Sequence, residues 1–201
     1  MAAALDREAR RRLDAEVWAL ALPAFATLLA APLLVLADSG IIGHVSTDAL
    51  AGLGIAASVI GLALGLCVFL AYGTTASVAR RLGAGDLPGA LAGGLDGITL
   101  GLVVGVVLAA GIGGFAPAII GLYGVAPEVA APAGVYLRIV ALGFPAALAM
   151  LAATGVLRGL QATPTPLLVV GWMNLVNIAL NLLFVFGLGW GIVGSATGTV
   201  I

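Results

Sequence analysis

Residues 23–44 read PAFATLLAAPLLVLADSGIIGH. The run is apolar and long enough to cross a bilayer, which takes about 20 residues of helix, yet it carries a carboxylate, Asp38, near its far end. An ionisable group at membrane depth costs at least about 2.5 to 3.5 kcal/mol even on insertion scales, so it marks a site with a task.

The surrounding chain excludes a water-soluble globule. Of its 201 residues 62% are hydrophobic and 8% charged, with a mean hydropathy of +1.23, whereas soluble domains carry about 25% charged residues. A β-barrel would need segments of about ten residues alternating apolar and polar, and these runs are continuously apolar and longer. The expected fold class is therefore all-α, a polytopic membrane bundle. The net charge of −1, with few basic residues, provides no footprint for a nucleic-acid partner. The single cysteine, Cys67, lies in an apolar run and reads as a small buried hydrophobe, with no disulfide framework to argue from.

Residues 1–16 read as a retained cytoplasmic leader, because the apolar run that follows is too long for the core of a signal peptide. The transmembrane lobe then occupies 17–201, with helices expected at about 17–42, 50–79, 88–117, 131–157, 166–188 and 192–201, the last incomplete. Arg7, Arg10, Arg11 and Arg12 precede the first helix, Arg80 and Arg81 follow the second, and Arg158 follows the fourth. The alternate connections lack arginine, so the positive-inside rule places the N-terminus in the cytoplasm. Arg138 departs from this pattern and reads as an outer-side residue snorkelling to the headgroups. Gly93, Gly97, Gly101 and Gly105 recur at four-residue spacing, a stripe that lets a neighbouring backbone come close. Pro23, Pro32 and Pro145 each remove a backbone donor inside an expected span.

No HExxH, GxSxG or P-loop signature is present, and the chain is not expected to be an enzyme. His44, the sole histidine, reads as interfacial and makes no metal site alone. Polarity is unexpected again in the fifth helix, where Asn174, Asn177 and Asn181 follow at intervals of three and four, which aligns them on one face. Interhelical hydrogen bonding explains such a stripe as readily as a ligand does. Thr197 and Thr199 add hydroxyls that are expected to face the same interior. If Asp38 meets this stripe, carboxylate, amide and hydroxyl oxygens form a hard ligand set for a cation such as Na⁺. A carboxylate partly withdrawn from water is equally able to take up and release a proton.

Several motifs extend the pattern: P-x8-P-x5-D-x4-G-H from Pro23 to His44, GTTASVARRLGAGD at 73–86, YLRI and FP in the fourth helix, RGLQATPTP at 158–166 and NLVNIALNLLFVFG at 174–187. Together they resemble the N-terminal half of a multidrug and toxic compound extrusion (MATE) transporter, most of all the DNA-damage-inducible F subgroup. The resemblance implies a six-helix N-terminal lobe of a twelve-helix antiporter that exports amphipathic, often cationic, drug-like compounds in exchange for H⁺ or Na⁺. It implies a cation-coupling role for Asp38, Asn177, Asn181 and Thr199, with Asn181 standing where some relatives carry a second aspartate, and Asn174 as a further interior polar group. It implies helix bending at Pro23, no cofactor beyond the coupling ion, and no metal beyond possible Na⁺ at Asp38. The bacterial inner membrane is the expected location. A missing C-terminal lobe or a second copy is the expected partner, since the sixth helix stops short.

Two rival readings remain at this level. A flippase for lipid-linked oligosaccharides would want cations lining the interior, and a non-transporting membrane subunit would leave Asp38 and the aligned asparagines without a purpose.

Overall fold

The structure is a computed structural model that describes residues 14, 17, 18, 21, 25, 29, 32–162 and 164–201, without the side chains of 164–167. Pro23 and all of the leader except Asp14 lie outside the described residues. Among the described residues every regular element is helical: α1 (Pro32–Gly43), then α2 (Thr47–Leu66), α3 (Phe69–Gly83), α4 (Leu87–Gly121), α5 (Pro127–Ala141), α6 (Phe144–Gly159), α7 (Pro164–Leu182) and α8 (Gly191–Val200).

Local chemistry sets most of the boundaries. Ser46 accepts a hydrogen bond from the Ala49 amide at 3.0 Å and starts α2, and Asp86 accepts from Gly89 at 2.9 Å and starts α4. Between α3 and α4, Gly85 takes a φ of +80° while the Asp86 amide reaches back to the Arg81 carbonyl and the Gly85 amide to Leu82. That pairing closes the helix with a residue that lacks a Cβ.

Two crossings are broken. The run Thr47–Gly83 is long enough to span a membrane but is interrupted where α2 ends at Leu66 and α3 starts at Phe69. The fourth crossing starts at Pro127 and bends by 53° between α5 and α6. Pro145, expected inside one continuous helix, instead sits in the first turn of α6. A proline cannot donate to the carbonyl four residues back and its ring crowds that carbonyl, so the helix re-forms there in a new direction. At the far end of α7 a π-helical turn, Leu183–Gly187, is closed by the Leu188 amide on the Leu183 carbonyl at 2.9 Å. α4, with 35 residues, runs unbroken.

The α4 glycines serve two neighbours. A Cβ at Gly97 would meet the Thr74 side chain on α3, whereas Cβ atoms at Gly101 and Gly105 would meet the α6 backbone at Leu148 and at Phe144–Pro145. From the other side, Gly155 and Gly159 of α6 lie against Ala71 and Val78 of α3. α3, α4 and α6 thus approach at backbone distance, which is how helices gain contact where lipid supplies no hydrophobic driving force. The apolar core lies around Ile42, Leu53, Ala56, Ile120, Leu137 and Phe144.

Candidate functional site

The polar cluster forms where α1, α5, α7 and α8 meet. Asp38 on α1 is 6% exposed, Asn177 on α7 is 9%, and Asn181 and Ser195 are fully buried. The Asn181 side-chain nitrogen donates to Asp38 Oδ1 at 2.5 Å and to Asn177 Oδ1 at 3.0 Å. Asn177 in turn donates to the Gly198 carbonyl on α8 at 3.1 Å. A chain of hydrogen bonds, diverging from the Asn181 amide nitrogen, therefore joins the α1 carboxylate to the α8 backbone through two amides one helical turn apart.

The spacing of Asn177 and Asn181 produces this arrangement, because residues four apart stack on one helix face. Gly198 makes room for it: a Cβ there would overlap the Asn181 carboxamide oxygen and crowd its backbone nitrogen. Gly198→Ala is therefore expected to lower the thermal unfolding temperature, as overpacking by about 1 to 3 kcal/mol does. Gly54→Ala, inside α2 at a position with nothing within 4 Å, should leave it equal or raise it, since alanine favours helix over glycine. Equal unfolding temperatures for the two variants would mean that Asn181 has room to move away.

Three further hydroxyls complete the cluster. Tyr136 on α5 is buried, and its oxygen lies beside the Thr199 and Ser195 hydroxyls and within electrostatic reach of Asp38. Thr199 Oγ1 donates to the Ser195 carbonyl at 2.9 Å. Sequence reasoning missed Tyr136 and Ser195, although Tyr136 opens the YLRI motif and Ser195 lies one turn before Thr199. Thr197 does not join them; its hydroxyl bonds back to the Val193 carbonyl at 2.7 Å on a more exposed face. Two positions along a helix is a turn of about 200°, so Thr197 and Thr199 cannot share a face.

Two buried oxygens in the cluster, Asn181 Oδ1 and Ser195 Oγ, have no hydrogen-bond partner. Such atoms are costly when left unmet, so this pocket of carboxylate, amide and hydroxyl oxygens is chemically able to accept a proton or a small hard cation. No arginine pairs with Asp38 among the described residues; its hydrogen-bond partner is the Asn181 amide, with Tyr136 within electrostatic reach.

Asn174 is half-buried at the open side of the cluster. It lines a cavity of about 270 Å³ together with Leu34, Trp172, Asn177, Gly198 and Thr199. A second cavity of about 340 Å³, between α6 and α7, shares Met173 and Asn174 with the first and adds Met150 and Thr154. Both are largely apolar with a few convergent polar groups, the usual composition of small-molecule sites.

The remaining sequence-marked residues lie elsewhere. His44 is exposed beyond α1, its Nδ1 2.7 Å from the Gly40 carbonyl. Arg138 was expected near the start of its helix, but α5 begins at Pro127, which puts it about 16 Å along the axis. It is exposed on the face of α5 opposite the buried Ala133, Leu137 and Val140. Pro23, expected to bend the first helix, lies outside the described residues.

Comparison with known proteins places the chain. The MatE family pattern matches residues 23–183. The chain is 34% identical to Protein DETOXIFICATION 44, chloroplastic, of Arabidopsis thaliana, over 94% of itself and 39% of that protein. It is 36% identical to DNA damage-inducible protein F of Escherichia coli (strain K12), over 94% of itself and 41% of that protein. A crystal structure of MATE in the bent conformation superposes with a TM-score of 0.85 at 26% identity, covering 92% of this chain and 41% of that one. An outward-facing multidrug resistance MATE family transporter of the MOP superfamily superposes with a TM-score of 0.80 at 28% identity, covering 90% and 40% respectively. The chain thus spans about two-fifths of the length of the relatives it matches.

Proposed function

This chain belongs to the MatE family, and from that premise we propose that it forms the N-terminal lobe of a secondary antiporter that exports amphipathic, often cationic compounds in exchange for H⁺ or Na⁺. The chain acts by binding and moving solutes, not by bond-making chemistry. A further lobe, or a second copy, supplies the other wall of the transport path. The chain sits in a bacterial inner membrane, and the arginine distribution supports an orientation with the N-terminus in the cytoplasm.

The observation that carries this reading is the buried Asp38 carboxylate, bonded to the Asn181 amide and unpaired with any arginine among the described residues. In the proposed cycle the ion binds at Asp38 with Asn177, Asn181 and Thr199 around it, and neutralising the carboxylate weakens its hold on the amide. A bend of the first helix at Pro23 would then change access to the cluster. Asn177, Gly198 and Thr199 also line the neighbouring cavity, so an exported compound lodged there and an ion at Asp38 act on the same groups. Sites that share residues influence each other's affinity reciprocally, and that is the coupling an antiporter needs.

The full-length transporter in proteoliposomes tests this. A fluorescent lipophilic cation should move against its gradient when either a pH gradient or a Na⁺ gradient is imposed, and not in the absence of both. Asn177→Ala and Asn181→Ala should weaken that ion dependence more than they lower folded yield. Transport that ignores both gradients would remove the antiport reading, and variants that lose only yield would assign the asparagines to packing.

A further inference from the structure

Asp96 is a second acid within an apolar crossing, and it lies on the outside of the bundle. Ala92, Asp96, Thr99 and Val103 form an exposed strip on α4, away from Gly94, Gly101 and Gly105, which face α6. Asp96 is nine residues beyond Leu87, about 13 Å along the helix. A carboxylate at that depth on an outward face is costly unless a charge of opposite sign comes to meet it.

The neighbouring helix ends in exposed Arg80 and Arg81. Arg81 lies in the groove between α3 and α4: its Nη1 donates to the Gly89 carbonyl at 2.6 Å. Its guanidinium also covers Gly93, where a Cβ would stand 3.1 Å from Nη1 and 3.3 Å from Ser77 Oγ. Side chains lean toward the N-terminus of their own helix. α3 and α4 are antiparallel neighbours, so Arg81 leans inward from the membrane surface and Asp96 leans outward toward it. The separation along α4 from Gly93 to Asp96 is only about 4.5 Å. Neither arginine makes an ion pair with Asp96 among the described residues.

We propose that this groove binds the head group of a zwitterionic aminophospholipid from the inner leaflet, such as phosphatidylethanolamine. The phosphate sits on Arg81, with Arg80 and the Ser77 hydroxyl beside it, and the ammonium sits on Asp96. The guanidinium lies over Gly93, one turn from Asp96 on the same helix, so one head group carrying both charges can address the two. The glycine at position 93 leaves room for the Arg81 guanidinium to lie against α4. Arginine ends alone would select anionic lipid; the acid one turn deeper is what favours a lipid that also carries a cation.

Native mass spectrometry of the full-length transporter, exchanged into equal amounts of phosphatidylethanolamine and phosphatidylglycerol, reads this selectivity. The wild-type protein should retain the ethanolamine lipid in preference. Asp96→Asn should reduce that preference about tenfold, the size expected for one charge-assisted contact, without loss of the glycerol lipid, and Arg81→Gln should lose both. The unfolding temperature of each variant, measured alongside, confirms that the fold is intact. A wild-type preference for phosphatidylglycerol, or an Asp96→Asn protein that retains the ethanolamine lipid as the wild type does, would overturn the proposal.

Discussion

Asp38→Asn in the full-length transporter should bring ion-driven efflux to the level of empty vesicles while leaving expression and membrane insertion unchanged. The physical basis is that the substitution separates shape from charge. Asp38 Oδ1 accepts the Asn181 amide at 2.5 Å, and an asparagine retains an oxygen at that position, so the link between α1 and α7 survives. What disappears is the titratable, ion-binding oxygen pair. The environment raises the stakes: the carboxylate is 6% exposed, and electrostatic interactions are stronger away from water. Efflux assays on cells or proteoliposomes, with the variant's yield measured in parallel, give a clean reading. Undiminished efflux would take the coupling role away from Asp38, whereas loss of both yield and efflux would show that the carboxylate holds the lobe together.

Gly105→Ala should destabilise the lobe by about 1 to 3 kcal/mol, the range for overpacking a filled interior. A Cβ at this position would overlap the backbone of Phe144 and Pro145 at the start of α6. Backbone cannot rotate out of the way as a side chain can, and proline is stiffer still. The strain therefore falls on the crossing of α4 with α6, which is also where the fourth crossing bends by 53°. Gly111→Ala is the control, since nothing lies within 4 Å of a Cβ there and alanine favours helix over glycine by about 1 kcal/mol. The contrast should appear as a lower unfolding temperature for Gly105→Ala and an equal or higher one for Gly111→Ala. Indistinguishable curves would show that α4 and α6 separate without penalty.

Particular residues show how far the sequence could be read. Asn177 and Asn181 were visible as a pair because four-residue spacing is a property of the helix itself, and Asp38 was visible because a charge in an apolar run has no ordinary reason to be there. Thr197 was misplaced by counting hydroxyls without applying the helical period. Tyr136 and Ser195 escaped for a different reason. A tyrosine or serine in a transmembrane helix is common, and only the neighbours that fold around it distinguish a ligand from a packing residue. Asp96 was overlooked because it sits in the glycine-rich helix whose stripe already had a packing explanation; its outward face became evident once Gly94, Gly101 and Gly105 were seen against α6.

The amino-acid sequence alone determined that this is a bundle of membrane-crossing helices, since hydropathy and run length depend on composition along one segment at a time. It also determined which polar residues of a given helix share a face, because the 3.6-residue period is local. The tertiary structure decided everything that involves two helices at once. It selected Asp38 as the partner of Asn181, brought Tyr136 and Ser195 to the same cluster, turned Arg138 outward, and divided one glycine stripe between α3 and α6. These choices depend on how helices cross, and crossing is set by backbone approach and shape at contacts between residues that are far apart in the chain.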